Sequence, residues 1–298
     1  MKLTMPIDSI TPVENREGIL FKRDDLLKFE NGVSGKARTS IWLAERAWEM
    51  GATGLVYGGS VLAPALGRVA SAAAYLGLKS RILIGSTPEI ATAKHPTVRV
   101  AAESGAELVK TPVGYNPYLQ KEAKRIMDES EGEWFQVPYG VSTDPTWDSE
   151  TLQEFFNCDV DQILPVLESG ATDLVVPFGS ANAASGIFWG LAKHGFGSLK
   201  RIHLMGIGPD KTQWFWERLA SAGVEKIDFD MNVEINHIPL HPLFAEYSDR
   251  MPEEFLGIKF HPLYEGKMIR WLNQVKPDFW TRRDGKTCFW IVGSDLNV

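Results

Sequence analysis

The sequence predicts an α/β protein built on mainly parallel sheets. Short apolar runs alternate with stretches of helical period along most of the chain, glycines close several of those helices, and the turns that follow the apolar runs are rich in glycine and small residues. Strands that alternate with helices in this way pair in parallel, with helices on both faces, and such sheets take their ligands at the carboxyl ends of the strands.

The elements follow in order. A helix is predicted over 37–50, with Ile41, Ala44, Ala47 and Trp48 at helical spacing and Gly51 ending it. Leu55-Val56-Tyr57 reads as a buried strand running into Gly58-Gly59-Ser60. An alanine-rich helix spans Val69 to Leu76 and stops at Gly77. Arg81–Gly85 is a strand, residues 92–104 a helix, Ala106–Val109 a strand, 117–130 a helix and Trp134–Val137 a strand. Thr151–Glu168 reads as helical with a break near Cys158-Asp159. Leu174–Val176 is a strand, Ala183–His194 a helix, His203–Gly208 a strand ending in glycines, and Lys211–Ala222 a helix. Asn232 to Pro262, rich in proline and histidine, is expected to be irregular. Gly266–Gln274 closes the helices and Cys288–Val292 the strands. Residues 52–140 are therefore expected to form a small α/β unit.

Composition bounds the function. With 298 residues, 44% hydrophobic and 23% charged, the chain can bury a substantial core. A net charge of -7 disfavours broad electrostatic binding of nucleic acid. Two cysteines, Cys158 and Cys288, make a disulfide framework improbable and a reducing cytoplasm the simpler expectation. The N-terminus lacks the apolar core of a signal peptide, and no stretch approaches the roughly 20 apolar residues of a membrane span. The tryptophans of the C-terminal half (Trp214, Trp216, Trp271, Trp280, Trp290) read as core packing or, more sharply, as a surface for planar ligands.

Three segments carry chemistry. Lys36 follows a glycine turn, Gly32-Val33-Ser34-Gly35, at the start of a helix; a lysine held and partly desolvated there can serve as an amine nucleophile, with Lys22 and Arg23 disfavouring its ammonium form. Gly179-Ser180-Ala181-Asn182-Ala183-Ala184-Ser185-Gly186 joins a strand to a helix, where backbone N–H groups and the helix end favour an anion; the same composition also serves close packing. It is neither a Walker loop nor a dinucleotide fingerprint. Leu263-Tyr264-Glu265-Gly266-Lys267 places an acid/base and a carboxylate at a helix start, or merely caps it. A placed amine plus an anion cradle is what pyridoxal 5'-phosphate needs.

Together, Lys22-Arg23-Asp24-Asp25, Ser34-Gly35-Lys36-Ala37-Arg38, Gly58-Gly59-Ser60 with its alanine-rich helix, Gly179–Gly186 and Tyr264-Glu265-Gly266-Lys267 resemble, in order and spacing, the fold-type II pyridoxal phosphate enzymes of the tryptophan synthase β-like superfamily. The branch most resembled is that of 1-aminocyclopropane-1-carboxylate deaminase and D-cysteine desulfhydrase. The resemblance implies two three-layer α/β domains, a smaller one over 52–140 and a larger, cofactor-binding one from 1–51 and 141–298, with the cofactor between them. It implies that Lys36 forms the Schiff base and moves protons at the substrate α-carbon. Gly179, Ser180, Ala181, Asn182 and Ala183 would surround the phosphate, Glu265 would meet the pyridine nitrogen, and Tyr264 would be an active-site tyrosine. Ser294 is a rival for the nitrogen contact. Family members are often homodimers, so a homodimer is expected on resemblance, although no interface is legible.

One departure bears on the substrate. Where the family's loop after Gly-Gly carries asparagine and other polar side chains for the substrate carboxylate, this chain reads Ser60-Val61-Leu62-Ala63-Pro64-Ala65-Leu66-Gly67, with only Ser60 polar. The loop meets a substrate whose carboxylate is absent or masked, or it leaves the carboxylate poorly solvated and favours its loss as carbon dioxide. The main expectation is thus a lyase or deaminase acting at the α-carbon of an amino acid or amine, with Lys36, Tyr264 and Ser60 as catalytic groups. The first alternative is a decarboxylase acting on an amino-acid-modified base in bacteriophage DNA, the chain being a divergent phage member of the family. The second is a non-catalytic ligand-binding protein on the same scaffold. Tyr115, Tyr118 and Tyr139 are candidates to line the cleft. Arg68, Arg270, Arg282 and Arg283 read as solvated or paired. No metal site is expected, because Pro239 breaks the helix that would align His237 with His241.

Overall fold

The computed structural model describes residues 1–281 and 285–293. Along the chain come β1 (Val13–Arg16), β2 (Ile19–Arg23), α1 (Ala37–Glu49), β3 (Gly54–Gly58), α2 (Ala65–Leu76) and β4 (Lys79–Ile84). Next are α3 (Pro88–Lys94), α4 (Pro96–Glu103), β5 (Glu107–Lys110), α5 (Asn116–Glu129), β6 (Trp134–Gln136), α6 (Ser149–Asn157) and α7 (Leu164–Glu168). There follow β7 (Asp173–Phe178), α8 (Asn182–His194), β8 (Arg201–Gly206), α9 (Thr212–Ser221), α10 (Lys226–Asp230) and β9 (Glu234–Pro239). The last are β10 (Glu253–Phe255), β11 (Ile258–Phe260), α11 (Glu265–Val275) and β12 (Thr287–Ile291).

The chain divides into two compact units. One holds Met1–Ile7 and Leu27–Asp144; the other holds Asp8–Leu26 and the described residues from Pro145 on. The first unit contains a four-stranded sheet in the order β5-β4-β3-β6, with every pair parallel. On one face Val56 and Leu83 pack with Leu119 and Ala123 of α5 and with Trp134. On the other, the alanine-rich α2 lies close to β3 and β4 and is flanked by α1 and α4. Small buried side chains (Ala65, Ala70, Ala72, Ala73) permit that close approach. Because α1 packs on α2, residues 27–51 lie with this smaller sheet, whereas the sequence reading had grouped them with the larger domain.

The second unit carries a six-stranded sheet in the order β1-β2-β12-β7-β8-β9, parallel except for the antiparallel β1–β2 pair. One face is covered by Phe260, Met268, Ile269 and Leu272, which pack with Phe21, Val175, Met205 and Phe289. Burying one such side chain contributes about 1.5–3 kcal/mol. The fold is therefore the expected α/β architecture with mainly parallel sheets.

Two expectations change. Asn232 to Pro262 is not irregular throughout: β9 extends the sheet beside β8, pairing His237 with Leu204, and β10 and β11 form a small antiparallel pair. As an edge strand only partly buried, β9 carries polar residues that mask its period. The single helix expected over 92–104 is split at His95, which takes an extended conformation (φ -122°, ψ 110°) because Pro96 follows it. Of the tryptophans of the C-terminal half, Trp290 is buried in β12, while the half-buried Trp216 meets Phe188, Phe215 and Phe229 and the half-buried Trp280 meets Phe255. Among the described residues no helix is long and apolar enough to cross a membrane.

Candidate functional site

Lys36 caps the N-terminus of α1 in the left-handed conformation, φ 55° and ψ 27°, and Gly35 before it has φ 72°. Glycine takes that conformation freely; a lysine does so at roughly 1 kcal/mol and must be held there. The holding is visible. Ser34 pairs with Lys28 in an isolated bridge, and buried Arg68 donates to the Ser34 carbonyl at 3.1 Å. Asn31 Nδ2 donates to Ser71 Oγ at 2.8 Å and Ser104 Oγ at 3.0 Å, while its Oδ1 accepts from Val33 N at 3.2 Å. The Lys36 side chain is half-buried, and its Nζ donates to the Gly140 carbonyl at 2.6 Å. Gly140 N donates in turn to the hydroxyl of Tyr57, fully buried in β3, at 3.2 Å. The amine thus sits where β3 and β6 end.

Lys22 and Arg23 have tasks of their own. Arg23 grips Asp25 with two hydrogen bonds of 2.9 Å and Glu14 with one of 2.8 Å, which compensates its charge. Lys22 is fully buried in β2 and donates to the carbonyl and hydroxyl of Thr11 and to Gln162 Oε1. Both cations thus have partners close by in their own unit.

The Ser60 loop is closed upon itself. Gly59 N donates to Leu83 O at 3.2 Å, Ser60 N to Asn116 Oδ1 at 2.9 Å, Leu62 N to Ser60 Oγ at 3.3 Å and Ala63 N to Ser60 O at 2.8 Å. Asn116 also donates through Nδ2 to the Tyr139 hydroxyl at 2.8 Å, so one side chain ties the loop to the segment that ends at Gly140. Those backbone donors are engaged, and the remaining side chains from Val61 to Leu66 are apolar.

In the second unit the carboxyl ends of β7, β8 and β12 gather the other residues. After Phe178 come Gly179 and Ser180, both half-buried, then Ala181 in the left-handed conformation (φ 61°) as the N-cap of α8. Asn182 and Ala183 form the first turn of α8, where the helix leaves its leading N–H groups without intrahelical acceptors. A methyl group at Gly179 would lie 3.9 Å from Tyr264, so that ring stands beside the turn. Gly186, by contrast, faces Asp159, and Gly190 faces the Val160 carbonyl; these glycines serve helix packing rather than the turn.

Glu265, the first residue of α11, is 1% exposed. Its Oε1 accepts from Val292 N at 2.9 Å and from Gly293 N at 3.4 Å, while its buried Oε2 has no hydrogen-bond partner among the described residues. Burial pushes its pKa up to about 7, against the opposing pull of those backbone N–H groups. Gly266 lets the helix start approach the chain closely, since a Cβ there would fall 2.1 Å from the Met251 carbonyl oxygen. The Tyr264 hydroxyl lies 3.1 Å from that of Tyr247, and buried Lys267 donates to the carbonyls of Glu246 at 2.7 Å and Tyr247 at 2.9 Å. Tyr247 and Asn116 are absent from the sequence reading. No local pattern marks them, because their partners lie 17 and 56 residues away.

Ser294, Arg282 and Arg283 lie outside the described residues. Arg270 pairs with Glu253 at 2.5 Å. His237 packs against Phe178 with ring centres 5.5 Å apart, and among the described residues no group of three or more metal-ligating acids, histidines or cysteines gathers.

No family model matches the chain. It is 26% identical to the O-seryl-dTMP PLP-dependent decarboxylase of Salmonella phage ViI, in an alignment covering 97% of this chain and 81% of that protein. Among solved structures it is similar to an ACC deaminase homologue (TM-score 0.74, 20% identity, 96% of this chain and 90% of that one). It is also similar to threonine deaminase isoform 2 from Solanum lycopersicum (TM-score 0.63, 12% identity, 98% and 87% covered). The fold is that of the tryptophan synthase β-like, fold-type II proteins.

Proposed function

We propose that this chain is a pyridoxal 5'-phosphate-dependent lyase that removes carbon dioxide from an amino acid carried on a nucleobase. The observation that carries the reading is the Ser60 loop, whose N–H groups at Gly59, Ser60, Leu62 and Ala63 are bonded within the protein and whose other side chains are apolar. A carboxylate set against that surface gains little solvation, and weak solvation raises its energy toward loss as carbon dioxide. The likeness to the phage decarboxylase, which extends over 97% of this chain, supports the same reading.

The residues present fit the cofactor. A buried carboxyl oxygen without a partner, Glu265 Oε2, suits an N–H donor such as a protonated pyridine nitrogen. The Gly179–Ala183 turn at the head of α8 suits a phosphate. When bound, the cofactor supplies the electron sink for the bond broken at the α-carbon. Lys36 Nζ would anchor its aldehyde carbon and afterwards carry a proton to the substrate α-carbon. Gly179, Ser180, Ala181, Asn182 and Ala183 would hold the phosphate, and Glu265 the ring nitrogen, with Ser294 its rival. Tyr264, beside the turn, would exchange a proton through its hydroxyl, and Ser60 Oγ would be the loop's one side-chain contact to substrate. The bond from the α-carbon to the carboxyl carbon breaks, its electron pair stays on the α-carbon, and a proton replaces the carboxyl group.

The test supplies purified protein and cofactor with free amino acids, and separately with nucleotides and DNA carrying an amino acid on the base, and follows the products by mass spectrometry. Loss of carbon dioxide from the modified base, abolished in Lys36→Ala together with the visible absorbance of the bound cofactor, is expected. Ammonia released from free amino acids alone would replace this reading with a deaminase. A protein that stays colourless with added cofactor and traps none of it on borohydride treatment would point to a binding protein.

A further inference from the structure

Lys36, the Ser60 loop and a pair of exposed tyrosines belong to one hydrogen-bonded patch at the carboxyl ends of the four-stranded sheet. From the Lys36 amine the path runs to the Gly140 carbonyl and back one residue to Tyr139; from the Tyr139 hydroxyl it runs to Asn116, and from Asn116 to Ser60 N. Tyr115, immediately before Asn116, is 70% exposed and Tyr139 is 48% exposed, with the apolar side chains of Val113 (48%) and Leu62 (38%) also open to solvent. The segment that presents Tyr115 is seated backbone against backbone: a Cβ at Gly85 would fall 2.1 Å from the Gly114 Cα. Two phenol rings are therefore open to solvent from fixed anchors, Tyr139 next to the Gly140 that accepts from Lys36 and Tyr115 next to the Asn116 that bonds Tyr139.

An aliphatic amino acid has nothing to fill such a surface, because its amino and carboxyl groups are confined to the region of the amine. A planar heterocycle joined to that amino acid does. We propose that Tyr115 and Tyr139 form the stacking platform on which the nucleobase of the substrate rests, positioned by Asn116. This deepens the function proposed above and rests on it. Stacking of a base on an aromatic side chain is sequence-tolerant, because every base has a π-face.

The test measures binding of unmodified thymidine 5'-monophosphate and of a short thymidine oligonucleotide to the cofactor-loaded protein by calorimetry. Beside it run cofactor absorbance and sedimentation. Tyr115→Ala is expected to weaken nucleotide binding about tenfold with cofactor uptake unchanged, and Tyr115→Phe to bind as the parent does. Tyr139→Phe keeps the ring but loses the Asn116 hydrogen bond, and is expected to weaken binding by a smaller factor. Equal affinity of parent and Tyr115→Ala would overturn the proposal. So would a change of oligomeric state in Tyr115→Ala, which would make the patch a contact between copies of the chain. A protein that fails to take up cofactor yet binds the nucleotide through Tyr115 would refute the catalytic reading and leave the platform standing, so the two failures are separable.

Discussion

Glu265→Gln isolates the physical demand made by the buried carboxyl at the head of α11. Burial raises the folded-state pKa from 4.5 to about 7, partly opposed by the N–H groups of Val292 and Gly293. Below about pH 4.5 both folded and unfolded chains hold the proton and the group costs nothing. As pH rises toward 7 the unfolded chain ionises while the folded one resists, so stability falls. At about 1.36 kcal/mol per pH unit, the interval between 4.5 and about 7 amounts to about 3 kcal/mol. Glutamine keeps an oxygen for the Val292 N–H and cannot ionise. In urea titrations of the cofactor-free protein, the parent is therefore expected to lose about 3 kcal/mol relative to Glu265→Gln between about pH 4.5 and about pH 8. Under the proposed function, added cofactor is expected to narrow the gap, because its ring N–H would supply the partner that Oε2 lacks. Parallel pH profiles for the two cofactor-free proteins would refute the reasoning, because they would mean the carboxylate is already solvated or paired.

Other outcomes follow from the same geometry. Gly266→Ala places a methyl 2.1 Å from the Met251 carbonyl oxygen, so thermal unfolding is expected to show a loss of about 2–4 kcal/mol or no soluble protein. Asp173, buried and bonded to Arg201 at 2.6 and 2.9 Å, to Thr172 at 2.9 Å and to His203 at 3.1 Å, holds its carboxyl well below the usual carboxylate range through those hydrogen bonds, although burial opposes them. Its stabilisation is present above about pH 4 and lost as pH falls further. Asp173→Asn is therefore expected to cost about 2–3 kcal/mol near neutrality, discounted because Arg201 is partly exposed, and to flatten the acid limb of the stability curve. Equal acid limbs for the two proteins would contradict that account.

The sequence made legible whatever depends on neighbours along the chain. Strands β3 to β8 and β12 announced themselves by apolar runs, and Gly35-Lys36 announced a glycine turn at a helix start, where both residues prove to be left-handed. What it hid depends on distant partners. β2 holds a fully buried Lys22, a residue type that ordinarily argues against the interior, and the partners that make it tolerable, Thr11 and Gln162, lie 11 and 140 residues away. The glycines of residues 179–190 look alike in sequence, yet Gly179 borders the turn while Gly186 and Gly190 make room for Asp159 and Val160. The absence of an asparagine from the Ser60 loop was plain. That Asn116 from the start of α5 occupies the Ser60 N–H was not.

The clip formed by Asn116 has an evolutionary corollary. Restoring one polar residue between Val61 and Leu66 leaves the Ser60 N–H occupied, while removing Asn116 alone exposes a donor flanked by greasy neighbours. Each change alone thus alters one half of the loop's polarity, so under the proposed function a switch to a free carboxylate would need both together.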